Sequence, residues 1–165
     1  MESKKILTRD NKLTDELQRT VEKKFKGFQL IYKEVYYLDY DVNEDTGIID
    51  KKNKVEFYTK SQISRNMRTL KSSYLIAKGA AAPSEIISFR EKYHIAASTL
   101  SIILGFSKNT ISNIENDGVT SLTSGRLIKM SINNKEIISY YIRVCDSIDA
   151  RKKEELSKKI LEFGI

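Results

Sequence analysis

Between Ile95 and Gly118 the chain reads IAASTLSIILGFSKNTISNIENDG, and Lys108, Asn109 and Asn113 bring one ammonium and two carboxamides into a short span. Such groups are poor at breaking bonds and good at recognition, because a carboxamide holds a donor and an acceptor in one plane and matches a planar partner that presents the reverse pair. Ser98, Ser107, Thr110 and Ser112 surround them with hydroxyls, which can donate to the oxygens of phosphate. No catalytic set accompanies these residues. The sole histidine, His94, has no nucleophile or carboxylate partner suggested by the sequence and is expected to cap a helix or lie on the surface. HExxH, GxSxG and a Gly-rich phosphate loop are missing, so an enzyme is not expected. Cys145 is the only cysteine, which excludes an intramolecular disulfide and a cysteine-rich zinc site and leaves a buried thiol. Asp39, Asp41, Asn43, Asp45 and Asp50 have the look of a calcium loop, but Glu44 stands where that loop demands glycine, and a hairpin turn is the expectation. No cofactor or metal is expected.

The elements that must position the three recognition side chains follow from apolar spacing. Ile95, Leu100, Ile103 and Leu104 give one helix its inward face, Gly105 permits a tight turn, and Phe106 packs beneath it. Ser107 is the expected cap of a second helix, with Ile111 and Ile114 inward and Lys108, Asn109, Ser112 and Asn113 outward. This is the spacing of a helix-turn-helix. Further helical segments are expected at 83–93, 121–130 and 135–147, and a highly charged one at 150–163.

On these residues the chain resembles the lambdoid phage repressor, or XRE, family of helix-turn-helix domains over about fifty residues. The resemblance includes Arg90 and Glu115, which in that family form a partly buried ion pair between the first helix and the end of the recognition helix. It implies a second helix that enters the major groove of double-stranded DNA. Lys108 would then donate to guanine, Asn109 and Asn113 would pair with adenine or other base edges, and Ser98, Ser107, Thr110 and Ser112 would meet phosphates. Where the family often has a glutamine at the start of the preceding helix, this chain has Ala97, with Ser98 beside it as a partial substitute. One module covers only about 600–1,000 Å² of protein surface on DNA, so a homodimer on an inverted-repeat operator is expected. Its contact is sought in the apolar residues between Ser121 and Ser147, among them Leu122, Leu127, Ile128, Ile132, Ile137, Ile138, Tyr141 and Ile142.

More of the chain resembles the MqsA-type antitoxins, through Lys26-Gly27, Asn66, Tyr74, Lys78-Gly79, Pro83, Glu85, Ile86 and Arg90. That family sets a zinc-binding amino-terminal domain before a helix, a linker and an XRE domain; the zinc cysteines are missing here. The resemblance implies a repressor that controls its own operon as an antitoxin. The alternative is a protein-binding inhibitor of a toxin or other enzyme, acting through residues 1–78, whose helix-turn-helix only regulates its own synthesis.

The amino-terminal part reads as an α+β module. Leu17, Val21 and Phe25 recur every four residues and predict a short amphipathic helix over 14–25. FQLIYKEVYYLDY, Phe28 to Tyr40, predicts a strand, and a second over 54–58 would complete a small hairpin or meander. Ile63, Met67, Leu70, Tyr74 and Leu75 predict a helix over 60–77 with one basic face, since eight cations stand against the single anion Glu56 between Lys51 and Lys78. The expected fold is thus α+β and mainly α, with domains at 1–78 and 84–147, a linker at 79–83 and a charged helix at 148–165. A formal charge of +7 agrees with a polyanionic partner. The amino terminus shows no apolar leader, and no stretch approaches eighteen consecutive apolar residues, so a cytoplasmic location without a membrane span is expected.

Overall fold

A computed structural model describes residues 2–162. Among them, seven helices and two small antiparallel sheets make an α+β fold that divides into two compact units at Leu70/Lys71.

In the first unit, β1 (Lys5–Leu7) pairs with β2 (Leu13–Asp15), and β3 (Leu17–Phe25), β4 (Phe28–Val42) and β5 (Ile49–Phe57) form a meander. The helix expected over 14–25 is therefore strand. A four-residue apolar spacing is also a multiple of two, so Leu17, Val21 and Phe25 lie on one face of β3, all three half-buried, while Gln18, Thr20, Glu22 and Lys24 on the other face are exposed. The two-residue turn Lys26-Gly27 decides between the readings. Both residues adopt positive φ, 46° and 83°, the type I′ geometry whose twist suits a tight hairpin, and Phe25 pairs with Phe28 across it. At the other hairpin the Asn43 side chain accepts from the amides of Asp45 and Thr46 at 3.0 and 3.1 Å, an Asx-type turn that joins β4 to β5.

Helix α1 (Lys60–Ala77) begins with a reciprocal cap, the Thr59 hydroxyl accepting from the Gln62 amide and the Gln62 side chain accepting from the Thr59 amide. Its first half buries an unexpected face. Ile63 and Met67 are exposed, whereas Gln62 and Asn66 are buried. The Asn66 carboxamide donates to the Val35 carbonyl and accepts from the Val35 amide, both at 2.9 Å, supplying a ladder bond that a strand would otherwise provide. Arg65, read as part of the basic face, is instead tied to the buried Glu16 carboxylate, one bond measuring 2.9 Å.

The second unit holds the end of α1 and α2 (Pro83–Tyr93), α3 (Ala97–Ile103), α4 (Thr110–Asp117), α5 (Leu122–Ile132), α6 (Lys135–Val144) and α7 (Ala150–Glu162). Ile86, Leu100, Ile111, Ile128, Ile138, Ile142, Leu156 and Ile160 fill its core. Two expected boundaries dissolve into this core. Residues 79–83 are not a free linker, because Ala80 and Ala81 are fully buried and the Ala81 amide donates to the Gly125 carbonyl at 2.9 Å. The charged terminal helix is likewise no appendage: α7 points Leu156 and Ile160 inward and its charges outward. Phe163, given to that helix by its sequence, lies outside the described residues.

Candidate nucleic-acid interface

Helix α3 ends in a motif that sets the direction of α4. Gly105 has φ 82°, its amide donates to the Ile102 carbonyl at 3.0 Å, and the Phe106 amide donates to the Ser101 carbonyl at 2.9 Å. These are the paired bonds of a Schellman cap, for which a left-handed residue is required. After it, Thr110 donates from its amide to the Ser107 carbonyl at 3.1 Å, and α4 begins. Ser107 thus opens the turn with its backbone and not, as its residue type suggested, with a hydroxyl cap on an amide. Its Oγ lies 2.9 Å from the Thr110 hydroxyl.

Three locks hold the inner face of α4. Ile111 and Ile114 are buried in the core. The fully buried Ser101 hydroxyl donates to the Ala97 carbonyl at 2.9 Å and accepts from the Ile111 amide at 3.0 Å, joining the start of α4 to α3. Sequence reading passed over this residue. Its only signal is a small hydroxyl residue one turn before Gly105, where two helices approach closely. The third lock is a two-bonded ion pair, Arg90 Nε to Glu115 Oε1 at 2.6 Å and Nη2 to Oε2 at 2.7 Å, while Nη1 donates to the Ile95 carbonyl at 3.1 Å. The carboxylate raises the Arg90 pKa above its ordinary value, which keeps the guanidinium charged at every ordinary pH. Beyond the helix, Gly118 takes φ 92° and the Val119 amide donates to the Ser72 hydroxyl at 3.0 Å.

The outer face carries the residues expected to meet DNA. Lys108, Asn109 and Asn113 are exposed, as are Ser107 and Asn116. Asn109 occupies the N-cap with φ −99° and ψ 0° and makes no side-chain cap bond, so its carboxamide is not folded back on the helix. Ser112 and Thr110 are half-buried, and the Ser112 hydroxyl donates to the Asn109 carbonyl at 3.0 Å, which spends its only proton within the protein. Ser98 is half-buried in the first turn of α3, after an Ala96 cap without a side-chain bond. His94 adopts a left-handed conformation, φ 52°, as the C-cap of α2.

Around this pair of helices the frame is tight. Pro83 opens α2, and Glu85 accepts from the Ala82 amide at 2.8 Å and pairs with Lys129 of α5. Arg126 donates twice to the Lys78 carbonyl, at 3.0 and 2.8 Å. Most apolar residues sought as a dimer contact face this interior, Ile128, Ile138 and Ile142 being fully buried. Met130 of α5 with Tyr140 and Val144 of α6 are the apolar residues of those helices left more than half exposed. No helix among the described residues is long and apolar enough to cross a membrane. None of the protein-family models, curated proteins or solved structures compared with the chain matches it.

Proposed function

We propose that the protein is a sequence-specific DNA-binding regulator, a repressor whose reading head is the α3-turn-α4 pair within a five-helix, lambda-repressor-like domain formed by α2 to α6. One observation carries this reading: Lys108 and Asn109, in the turn that opens α4, and Asn113, on its outer side, stand exposed, while the inner side of the helix is held by Ile111, Ile114, Ser101 and the Arg90–Glu115 pair. A rigid helix that presents polar, flexible readers is what base-edge recognition needs, because the edges differ only in their donor and acceptor pattern. The paired hydroxyls of Ser107 and Thr110 retain a proton for a phosphate next to the readers. Binding as a homodimer on an inverted repeat places the contact on Met130, Tyr140 and Val144, with half-sites about 10 base pairs apart or a multiple of that spacing. The test is selection of duplexes by the full chain, then repetition with Lys108, Asn109 and Asn113 all changed to Ala. Loss of selectivity with unchanged unfolding supports the assignment, and an unchanged footprint refutes it.

A second reading, a protein-binding inhibitor in the manner of an antitoxin, is favoured by the first unit alone. A cavity of about 280 Å³ lies there beside Tyr32, Tyr58 and Leu70 and the exposed Ile63 and Met67. Ile63→Glu with Met67→Glu would abolish capture of a protein partner and spare operator binding; loss of DNA selectivity instead would count against this division.

A further inference from the structure

We infer that Asn116 is a third reader on α4, and that the helix is built for an operator half-site whose core is A·T-rich. The inference rests on the DNA-binding reading above and extends it to the class of sequence recognised. Asn109, Asn113 and Asn116 follow one another at steps of four and three residues, the spacing that stacks side chains along one face of an α-helix, and all three are exposed. At about 1.5 Å per residue, the seven positions from Asn109 to Asn116 advance about 10.5 Å. Three base-pair steps at about 3.4 Å advance about 10 Å, so a helix lying along the groove sets the three carboxamides within a window of about four base pairs.

The chemistry of that window follows from the side chains on it. A carboxamide pairs with adenine by accepting from N6–H and donating to N7, and guanine lacks the first of these donors. Guanine is served by a cation, and Lys108, one residue before the ladder, is the cation of this turn and helix. Cytosine is served by a carboxylate; of the two on α4, Glu115 is held by Arg90 on the inner side, and Asp117 is the helix's last residue, beyond the three amides. The N-cap geometry adds a second, independent sign. Asparagine is among the best capping residues, yet the Asn109 side chain makes no cap bond, so it remains available outside the helix. Of the two polar residues between the first two amides, Ser112 has its proton on the Asn109 carbonyl and Thr110 pairs its hydroxyl with that of Ser107. Three amides and one ammonium therefore define the reading face, which specifies adenines across the core and guanine at one edge.

The experiment is enrichment of randomised duplexes by the full-length protein, repeated with Asn116→Ala and Asn116→Gln, with thermal unfolding of each as a control. The wild type should enrich half-sites with an A·T core, and Asn116→Ala should lose on the order of tenfold preference at one A·T position. Asn116→Gln should retain an adenine preference there, because its carboxamide offers the same pair. A G·C-rich core, or an Asn116→Ala protein with the preference intact, overturns the inference while leaving DNA binding in place. Enrichment of no duplex overturns the DNA-binding reading and this inference with it.

Discussion

Replacing Arg90 by Met removes the guanidinium but keeps much of the side-chain volume between the end of α2 and α4. The variant leaves the Glu115 carboxylate, whose side chain is 11% exposed, without two short bonds, and frees the Ile95 carbonyl as well. Breaking one member of a buried pair costs about 3–5 kcal/mol, because the remaining charge has neither water nor partner. Arg90 retains 22% exposure, so solvent reaches the pair and the lower end applies, about 3 kcal/mol. That is more than a hundredfold in the ratio of folded to unfolded protein. Glu115→Gln keeps shape and one acceptor, and should cost about 1.5–2 kcal/mol through loss of charge on the bonds. The double change Arg90→Met with Glu115→Leu should recover most of the loss, since an apolar pair of similar volume often replaces a buried ion pair at little cost. Urea unfolding gives the magnitude, and hydrogen exchange at the Ile111 and Ile114 amides assigns it to the second unit. An Arg90→Met protein within about 1 kcal/mol of the parent, or a double variant that loses the sum of the two single losses, would refute the role given to this pair.

Ser101→Ala should cost about 1–3 kcal/mol in urea unfolding, because the buried Ile111 amide loses its acceptor and no water can replace it. Gly125→Ala places a Cβ 2.4 Å from the Ala80 Cβ and should destabilise by about 1–3 kcal/mol or more, with Ala80→Gly restoring part of the loss in calorimetry. Glu16 titrates below its ordinary 4.5, chiefly because Arg65 bonds to its carboxylate, against burial that would raise it. A depressed folded pKa means that the unfolded state binds the proton more readily, so this contribution is complete above about pH 4.5 and is lost as pH falls through the lower folded value. An Arg65→Met, Glu16→Leu protein should show a shallower acid-unfolding curve in the first unit.

The helices of the second unit are legible because their apolar residues obey one period only. Ile111 and Ile114 cannot both be inward on a strand, and the turn at Gly105 sits where the period breaks. Leu17, Val21 and Phe25 fit both periods, and the deciding fact, a type I′ turn at Lys26-Gly27 that pairs β3 with β4, involves a partner strand that no local window contains. The buried face of α1 departs from its hydropathy for a related reason. Hydropathy places Ile63 and Met67 inward, but the unit buries Gln62 and Asn66, whose amides close a helix cap and an otherwise open backbone pair. Ala80 and Ala81 read as a linker because small residues are common in linkers. Small size is also what lets a backbone approach Gly125, and only the packed structure separates the two meanings.

The division of labour on α4 has a consequence for how substitutions there must behave. Its inward groups are committed: Ile111 and Ile114 to the core, the Ile111 amide to Ser101, Glu115 to Arg90. Its outward Asn113 and Asn116, with Lys108 and Asn109 of the turn that opens it, are exposed. Changes on the inner side therefore lower stability first and binding only as the helix is lost, whereas truncation on the outer side leaves stability within about 0.5 kcal/mol. Measured over the whole helix, loss of stability and loss of operator preference should be anticorrelated by position, with Ser112 intermediate because its hydroxyl bonds the Asn109 carbonyl. A helix that merely covered the core would give no such separation, for its exposed asparagines could be truncated without effect on any property.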